Sequence, residues 1–446
     1  MHIRISIASL CCAVLLMSCK HDIDTPDIDT QLMELIASTS PDGTVDHYIL
    51  PRETDYDAIP QDPRNPLTQV KVDLGQMLFH ETGLAVDAFH TVGLGTYSCA
   101  SCHVADRGFR PGRAQGIADG GIGFGEFGED RQLNGGYAEN QIDAQGIRPL
   151  SVLNTAFVSN TLWNGQFGAG GLNIDYEEQW RNNPETVVNA LGYEAMESQN
   201  IDGVTLHRMD IDQELADELG YKELFDLSFP EFAVEERYSK LTLALALSAY
   251  LRSLTTSEAD FQHYLRGDVE ALTPDEKEGA SLFFAKAGCV RCHNGPNLGG
   301  DSFHAVGAKD LWQHPDALFT SVDDKKNLGR GSFTGAEEDM RAFRVPQLYN
   351  QFGNEHFLHG SSKSNVREVV EYFNAAIPEN DMVSPDQLSP FFTPLNLSDE
   401  EIDQLTVFIE KALYDHELDR YLPVELPSGN CFPNADVFSQ WDLGCR

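Results

Sequence analysis

Basic residues are scarce in this chain. Lysine and arginine number 31 against 70 aspartates and glutamates, a formal net charge of −39. A surface of that sign repels nucleic acid and anionic lipid, so a nucleic-acid partner is excluded. It suits a basic protein partner steered by long-range attraction, although solubility alone would produce the same composition. Long apolar runs are also missing: beyond the N-terminus no segment is long enough to cross a bilayer. Strand signals are sparse, and the recurring periods are helical, so the fold is predicted to be mainly α. Cysteine is limited to nine positions, each of which has a reading.

The first 19 residues, MHIRISIASLCCAVLLMSC, combine a basic Arg4, a short apolar run and small Ser18 ahead of Cys19. They read as an export signal over residues 1–18, with Leu16 to Cys19 as a lipobox and Cys19 as the lipidation site. The alternative is an ordinary signal peptide cut nearby. A lipid on Cys19 would tie an otherwise soluble, exported protein to a membrane at the periplasmic side or cell envelope, with no other membrane contact. Cys11 and Cys12 fall inside the signal. Cys431 and Cys445, near the C-terminus, are expected to pair as a disulfide in an exported chain.

The remaining four cysteines form two motifs, Cys99-Ala-Ser-Cys102-His103 and Cys289-Val-Arg-Cys292-His293. Cys-x-x-Cys-His is the attachment signature of c-type haem: both thiols form thioethers and the histidine reaches the iron. Zinc is the rival reading, but a structural zinc site needs a second ligand pair, and none follows either motif at short range. Two motifs in an exported chain point to two covalently bound haem c groups, with His103 and His293 as iron ligands.

Around them the chain divides into an acidic tether over 19–64 with one short helix at QLMELIAS, an N-terminal haem domain over 65–238, a C-terminal haem domain over 239–415, and a tail over 416–446. KLTLALALSAYLRSLT reads as a buried helix. In LTPDEKEGASLFFAKAGC, Thr273 can cap, Pro274 suits the first turn, and Glu276 completes a capping box. Residues 108–147, GFRPGRAQGIADGGIGFGEFGEDRQLNGGY and beyond, are too glycine-rich for an element interior and form a long loop, functional or mobile.

From about Asn65 to Leu413 the sequence resembles the bacterial dihaem cytochrome c peroxidase family, which includes MauG-type enzymes that oxidise residues of a partner protein. LGQMLFHETGL, RPLSVLNTAF, LWNG, CVRCHNGPNLGG, LGRGSF, FRVPQLYN and FLHG carry the likeness. The resemblance implies two cytochrome c-like helical domains packed at an interface, hydrogen peroxide as substrate and a small exported redox protein (cytochrome c or cupredoxin) as electron donor. It assigns peroxide to the N-terminal haem and electron entry to the C-terminal one. Trp163 of LWNG would bridge them; without the likeness it is simply a core tryptophan. His359 of FLHG matches a family histidine near the interface. A homodimer is an option the likeness carries. So is calcium between the domains, although IRPLSVLN lacks the expected asparagine ligand.

Three departures bear on function. No histidine lies between His103 and His207, so the loop cannot close the N-terminal iron, as in the MauG branch. The region expected to carry the catalytic glutamate reads LHRMD, with YEAMESQ upstream. His207 is the candidate proton shuttle and Arg208 the positive group, with Glu197 or Glu194 as the alternative acid–base; a surface role for His207 is the plain reading. Phe373 stands where a distal methionine or tyrosine of the C-terminal haem is expected, leaving Met382 or Tyr372 as substitutes. Peroxidase, MauG-like oxidase and non-catalytic electron-transfer cytochrome are the competing readings.

Overall fold

The computed structural model describes residues 27–445. The export signal and Cys19 lie outside the described residues. Two apolar cores account for most of the buried apolar side chains. The first is built from helices Gln69–His80, Ala195–Leu206 and Lys240–Ser253. Lys240–Ser253 is buried along its length from Thr242, as its unbroken apolar composition requires. It crosses Gln69–His80 closely because of Gly75: a Cβ there would lie 2.0 Å from the Ala246 carbonyl oxygen. The second core joins Pro274–Phe284, Val366–Ala375 and Asp399–Val407. Pro274–Phe284 begins with the capping box expected from Thr273 and Glu276. It makes the same kind of crossing at Gly279, whose Cβ would lie 2.1 Å from the Gln404 carbonyl oxygen. Among the described residues strands are limited to short antiparallel pairs, Gly121–Ile122 with Gln132–Leu133 and Phe303–His304 with Phe343–Arg344.

The expected divisions need three corrections. Residues 28–50 are not a tether. Helix Ile28–Thr39 buries Leu32 and Ile36 in the second core, where Tyr48 and Leu50 are also fully covered. Gln262 fastens this segment by accepting from Leu50 N–H and donating to the Tyr48 carbonyl. A few well-spaced apolar residues did this inside an acidic, proline-rich composition. The boundary at 239 is also displaced: helix Lys240–Ser253 belongs to the first core, which continues through Leu254. The tail from 416 is integral to the first core as well, contributing Leu418 and Tyr421.

The glycine-rich loop is held in place. Arg131, 1% exposed, donates to the carbonyls of Ala118 (2.8 Å) and Gly123 (3.2 Å) and pairs with Asp436 of the tail. Cys431 and Cys445 form a disulfide that closes this tail, and Pro433 accepts from Ser98 Oγ immediately before the first motif.

Candidate active site: two haem seats and the groups between them

Each Cys-x-x-Cys-His motif forms one tight turn. His103 N–H donates to Cys99 O at 3.2 Å, and His293 N–H to Cys289 O at 2.9 Å. Both imidazoles then use Nδ1 on a backbone carbonyl a few residues on: Phe109 O at 3.0 Å for His103, Leu298 O at 2.9 Å for His293. That bond fixes the ring and leaves Nε2 as the ligating nitrogen. Phe79 tilts against His103 at 6.4 Å and Phe283 against His293 at 6.3 Å. Burial pushes both histidines down to about 4, so they are neutral at pH 7 and able to donate a lone pair. None of the four motif cysteines is taken by a disulfide, while Cys431 and Cys445 pair with each other.

These residues fit a haem at each motif. At the second, Cys289, Cys292 and His293 line a cavity of about 260 Å³ walled by Phe283, Phe343 and Leu405 among others. Such a space suits a flat apolar group with a polar edge. At the first, the glycine-rich loop passes so near Cys102 that a Cβ at Gly116 would lie 2.5 Å from its Sγ.

The proposed catalytic side chains fall in different settings. His207 terminates helix Ala195–Leu206, and its Nδ1 meets Asp143 Oδ2 at 2.6 Å. Asp143, 7% exposed, comes from the glycine-rich loop. Burial lowers the His207 pKa, but the Asp143 carboxylate outweighs it and the net shift is upward. Burial would raise Asp143, and His207 reverses this too. His207 lies close enough to His103 for the charge of one ring to act on the other. Asp202 adds a third member: burial lifts its pKa to about 6, and His207 opposes the rise.

Two assignments are corrected. Arg208 does not present a free guanidinium, since it is ion-paired with buried Asp119 and donates to Gln141 O at 2.7 Å. It clamps the loop that delivers Asp143. Glu197 is fully buried with both oxygens taken, by Arg252 Nε at 2.9 Å and Nη2 at 2.6 Å. It joins two helices and has no lone pair directed at a substrate. Glu194 is exposed at the start of the same helix.

Trp163 is buried at the cavity that also holds His293. Its indole N–H donates to Arg148 O at 2.7 Å, and its own carbonyl accepts from Arg344 N at 2.8 Å. Phe343 and His359 meet it edge-on at 6.2 and 6.3 Å and stack on each other at 3.6 Å. His359 Nε2 is also within 3.1 Å of Asp310 Oδ1.

The profile of the di-haem cytochrome c peroxidase family matches residues 69–270. The chain is 25% identical over 358 residues to the methylamine utilization protein MauG of Methylophilus methylotrophus, covering 79% of this chain and 85% of that protein. It is 25% identical over 371 residues to cytochrome-c peroxidase IdrP1 of Pseudomonas sp. strain SCT, covering 79% and 82%. Among solved structures, a MauG-like protein associated with microbial copper homeostasis superposes with a TM-score of 0.57 at 23% identity, over 83% of this chain and 95% of that one.

Over residues 69–270 the chain matches the dihaem cytochrome c peroxidase family. It is a haem-dependent oxidoreductase with two cytochrome c-like domains and two covalently bound haem c groups. The family's c-type cytochromes are periplasmic, and no helix among the described residues is long and apolar enough to cross a membrane.

In this chain the distal side of the second haem differs from expectation. Neither Tyr372 nor Met382 lines the cavity. Helix Val366–Ala375 turns Val366, Val369, Val370 and Phe373 inward at helical spacing, which leaves Tyr372 one position off. The Tyr372 hydroxyl instead donates to Val306 O at 2.7 Å. Met382 is 46% exposed, with Arg341 Nη2 3.5 Å from its sulfur. Histidines 304, 356 and 359 line the same cavity.

Sequence reading missed Asp143, Asp119 and Asp202, because single aspartates in an acidic chain carry no pattern. It also missed a signal that was present: Gly75-x-x-Leu78-Phe79 recurs as Gly279-x-x-Leu282-Phe283. The glycine makes the helix crossing and the phenylalanine meets the ligand histidine in both domains.

Proposed function

We propose that this enzyme reduces hydrogen peroxide to water at the haem held by Cys99, Cys102 and His103. Electrons would come from a small, basic exported redox protein and pass through the haem at His293 and Trp163. The observation that supports this reading best is the Asp143–His207 pair at 2.6 Å, with His207 within electrostatic reach of His103. The haem iron, when bound, supplies two-electron cleavage of the O–O bond. Asp143 fixes the His207 ring by accepting from Nδ1–H, which leaves Nε2 as the base. That nitrogen takes the proton from the near oxygen of the peroxide and returns it to the departing one, so that water leaves. The His207 side chain is 38% exposed, which lets it exchange protons with solvent between turnovers. The buried Trp163, braced through its indole N–H and its carbonyl, supplies a rigid aromatic step between the domains. The acidic surface favours a basic donor.

Mixing the oxidised holoprotein with hydrogen peroxide and excess reduced small cytochrome c tests this. Donor absorbance should fall at once and catalytically, with no prior reduction of the enzyme. A long-lived oxidised species that leaves the donor untouched would favour the second reading, oxidation of Trp or Tyr on a partner protein. One feature leans that way: apolar Phe373, rather than methionine, faces the second seat. We also propose that Cys19 carries the lipid anchor; radiolabelled palmitate on the full-length chain but not on Cys19→Ser would support it.

A further inference from the structure

In a chain with 39 excess negative charges, three buried arginines form no ion pair with any carboxylate among the described residues, and only Arg344 has one, Asp301, within electrostatic reach. Arg110, Arg148 and Arg344 line the cavity that holds His293 and Trp163, and none is more than 7% exposed. Their side-chain hydrogen bonds run to neutral oxygens. Arg110 donates to Arg107 O at 3.2 Å, Gln351 Oε1 at 2.9 Å and Asn350 O. Arg148 donates to Arg113 O and Asn354 Oδ1, both at 3.0 Å, and Arg344 Nε to Leu162 O at 3.0 Å. The two terminal nitrogens of Arg344 have no partner among the described residues. Burial pulls Arg110 and Arg344 down to about 10 and Arg148 to about 9, and Arg110 adds to the fall at Arg148. All three are still charged at pH 7. Beside them the Nδ1 of His356, also on the cavity wall, is buried without a partner.

A buried guanidinium with no counter-charge is strongly unfavourable, and three in one cavity repel each other as well. An anion in the cavity would offset both costs. Guanidinium recognises carboxylate best, through parallel N–H donors. The haem attached at this seat brings two carboxylates on one edge.

We propose that Arg110, Arg148 and Arg344 are positioning residues that hold the propionates of the haem anchored at Cys289 and Cys292, and that their charge excludes a divalent cation from this interface. The proposal rests on a haem being bound at that seat. A propionate paired with guanidinium stays ionised across neutral pH, so reduction of this haem is not coupled to propionate protonation. The nearby positive charge also favours the reduced state, which carries one charge less.

Potentiometric titration of the holoprotein tests this, with Arg344→Gln, Arg148→Gln and the charge-retaining Arg344→Lys as variants. Each is first checked for two haems per chain by alkaline pyridine spectra. One haem in the wild type would be a failure of the two-haem assignment, visible before any potential is read. Each Gln variant should lower the reduction equilibrium constant of one haem about tenfold, ~59 mV for one electron. It should also make that potential depend on pH between about 5 and 8, where Arg344→Lys stays near the wild type. Unchanged potentials in both Gln variants would overturn the proposal. A saturable shift of the wild-type spectrum with added potassium acetate would show a cluster open to free carboxylate, and would overturn the propionate assignment. One calcium per chain surviving dialysis against EDTA would overturn the exclusion of a divalent cation.

Discussion

The two haem seats are alike where the haem is attached and unlike where it would react. Each takes a glycine-mediated helix crossing, a phenylalanine against the ligand histidine, one Cys-x-x-Cys-His turn, and an Nδ1–carbonyl bond at 2.9–3.0 Å. Beyond that they diverge. The first seat has the Asp143–His207 pair, its histidine at the end of helix Ala195–Leu206 and its aspartate on a loop that buried Arg131 and the disulfide-closed tail hold down. The second has an apolar cavity with buried arginines and Trp163 on its wall. On the proposed reading, a repeated cradle serves proton transfer at one seat and electron entry at the other. Loop side chains supply part of the difference, and His207 at a helix end and the inward face of Val366–Ala375 supply the rest.

The largest effect should come from removing the group peculiar to the first seat. His207→Gln should lower kcat/KM for peroxide about 10²–10⁴-fold with both haem spectra intact, measured by steady-state donor oxidation. Next is the group wrongly suspected of that role. Glu197→Ala strands Arg252 in the core and should cost about 3–5 kcal/mol by denaturant unfolding. Peroxide kinetics of the folded fraction should stay near the wild type. The shared cradle can be broken one side at a time: Gly75→Ala and Gly279→Ala should each destabilise by about 1–3 kcal/mol through overpacking. Each should impair haem attachment at its own seat alone, read by mass spectrometry of haem peptides.

The smallest effect concerns pH. Asp143 holds the His207 pKa above its ordinary value, and the base works only when unprotonated, so the rate falls as pH drops through that raised pKa. Asp143→Asn removes the stabilisation of the imidazolium and should move this acid limb to lower pH. A limb that stays in place would separate Asp143 from the base.

Much of this arrangement was readable in advance. The haem motifs are covalent chemistry written in five residues, and helices such as Lys240–Ser253 announce themselves by composition. The capping box at Thr273 appears where its pattern lies. What escaped was long-range. Ile28–Thr39 looks like part of a linker until Leu32 and Ile36 find the second core some 230 residues on. Glu197 and Arg208 are suggestive residue types whose roles were decided by Arg252 and Asp119, partners no local spacing reveals. Tyr372 was lost to helix phase: one residue separates it from the inward-facing Phe373.

The most direct test of the contrast between seats is the EPR spectrum of the fully oxidised holoprotein. An open first seat beside a closed, electron-receiving second seat predicts a high-spin ferric signal together with a low-spin one, and the high-spin signal alone should respond to a stoichiometric addition of peroxide. Two low-spin haems, both unresponsive until the enzyme is first reduced, would contradict the account.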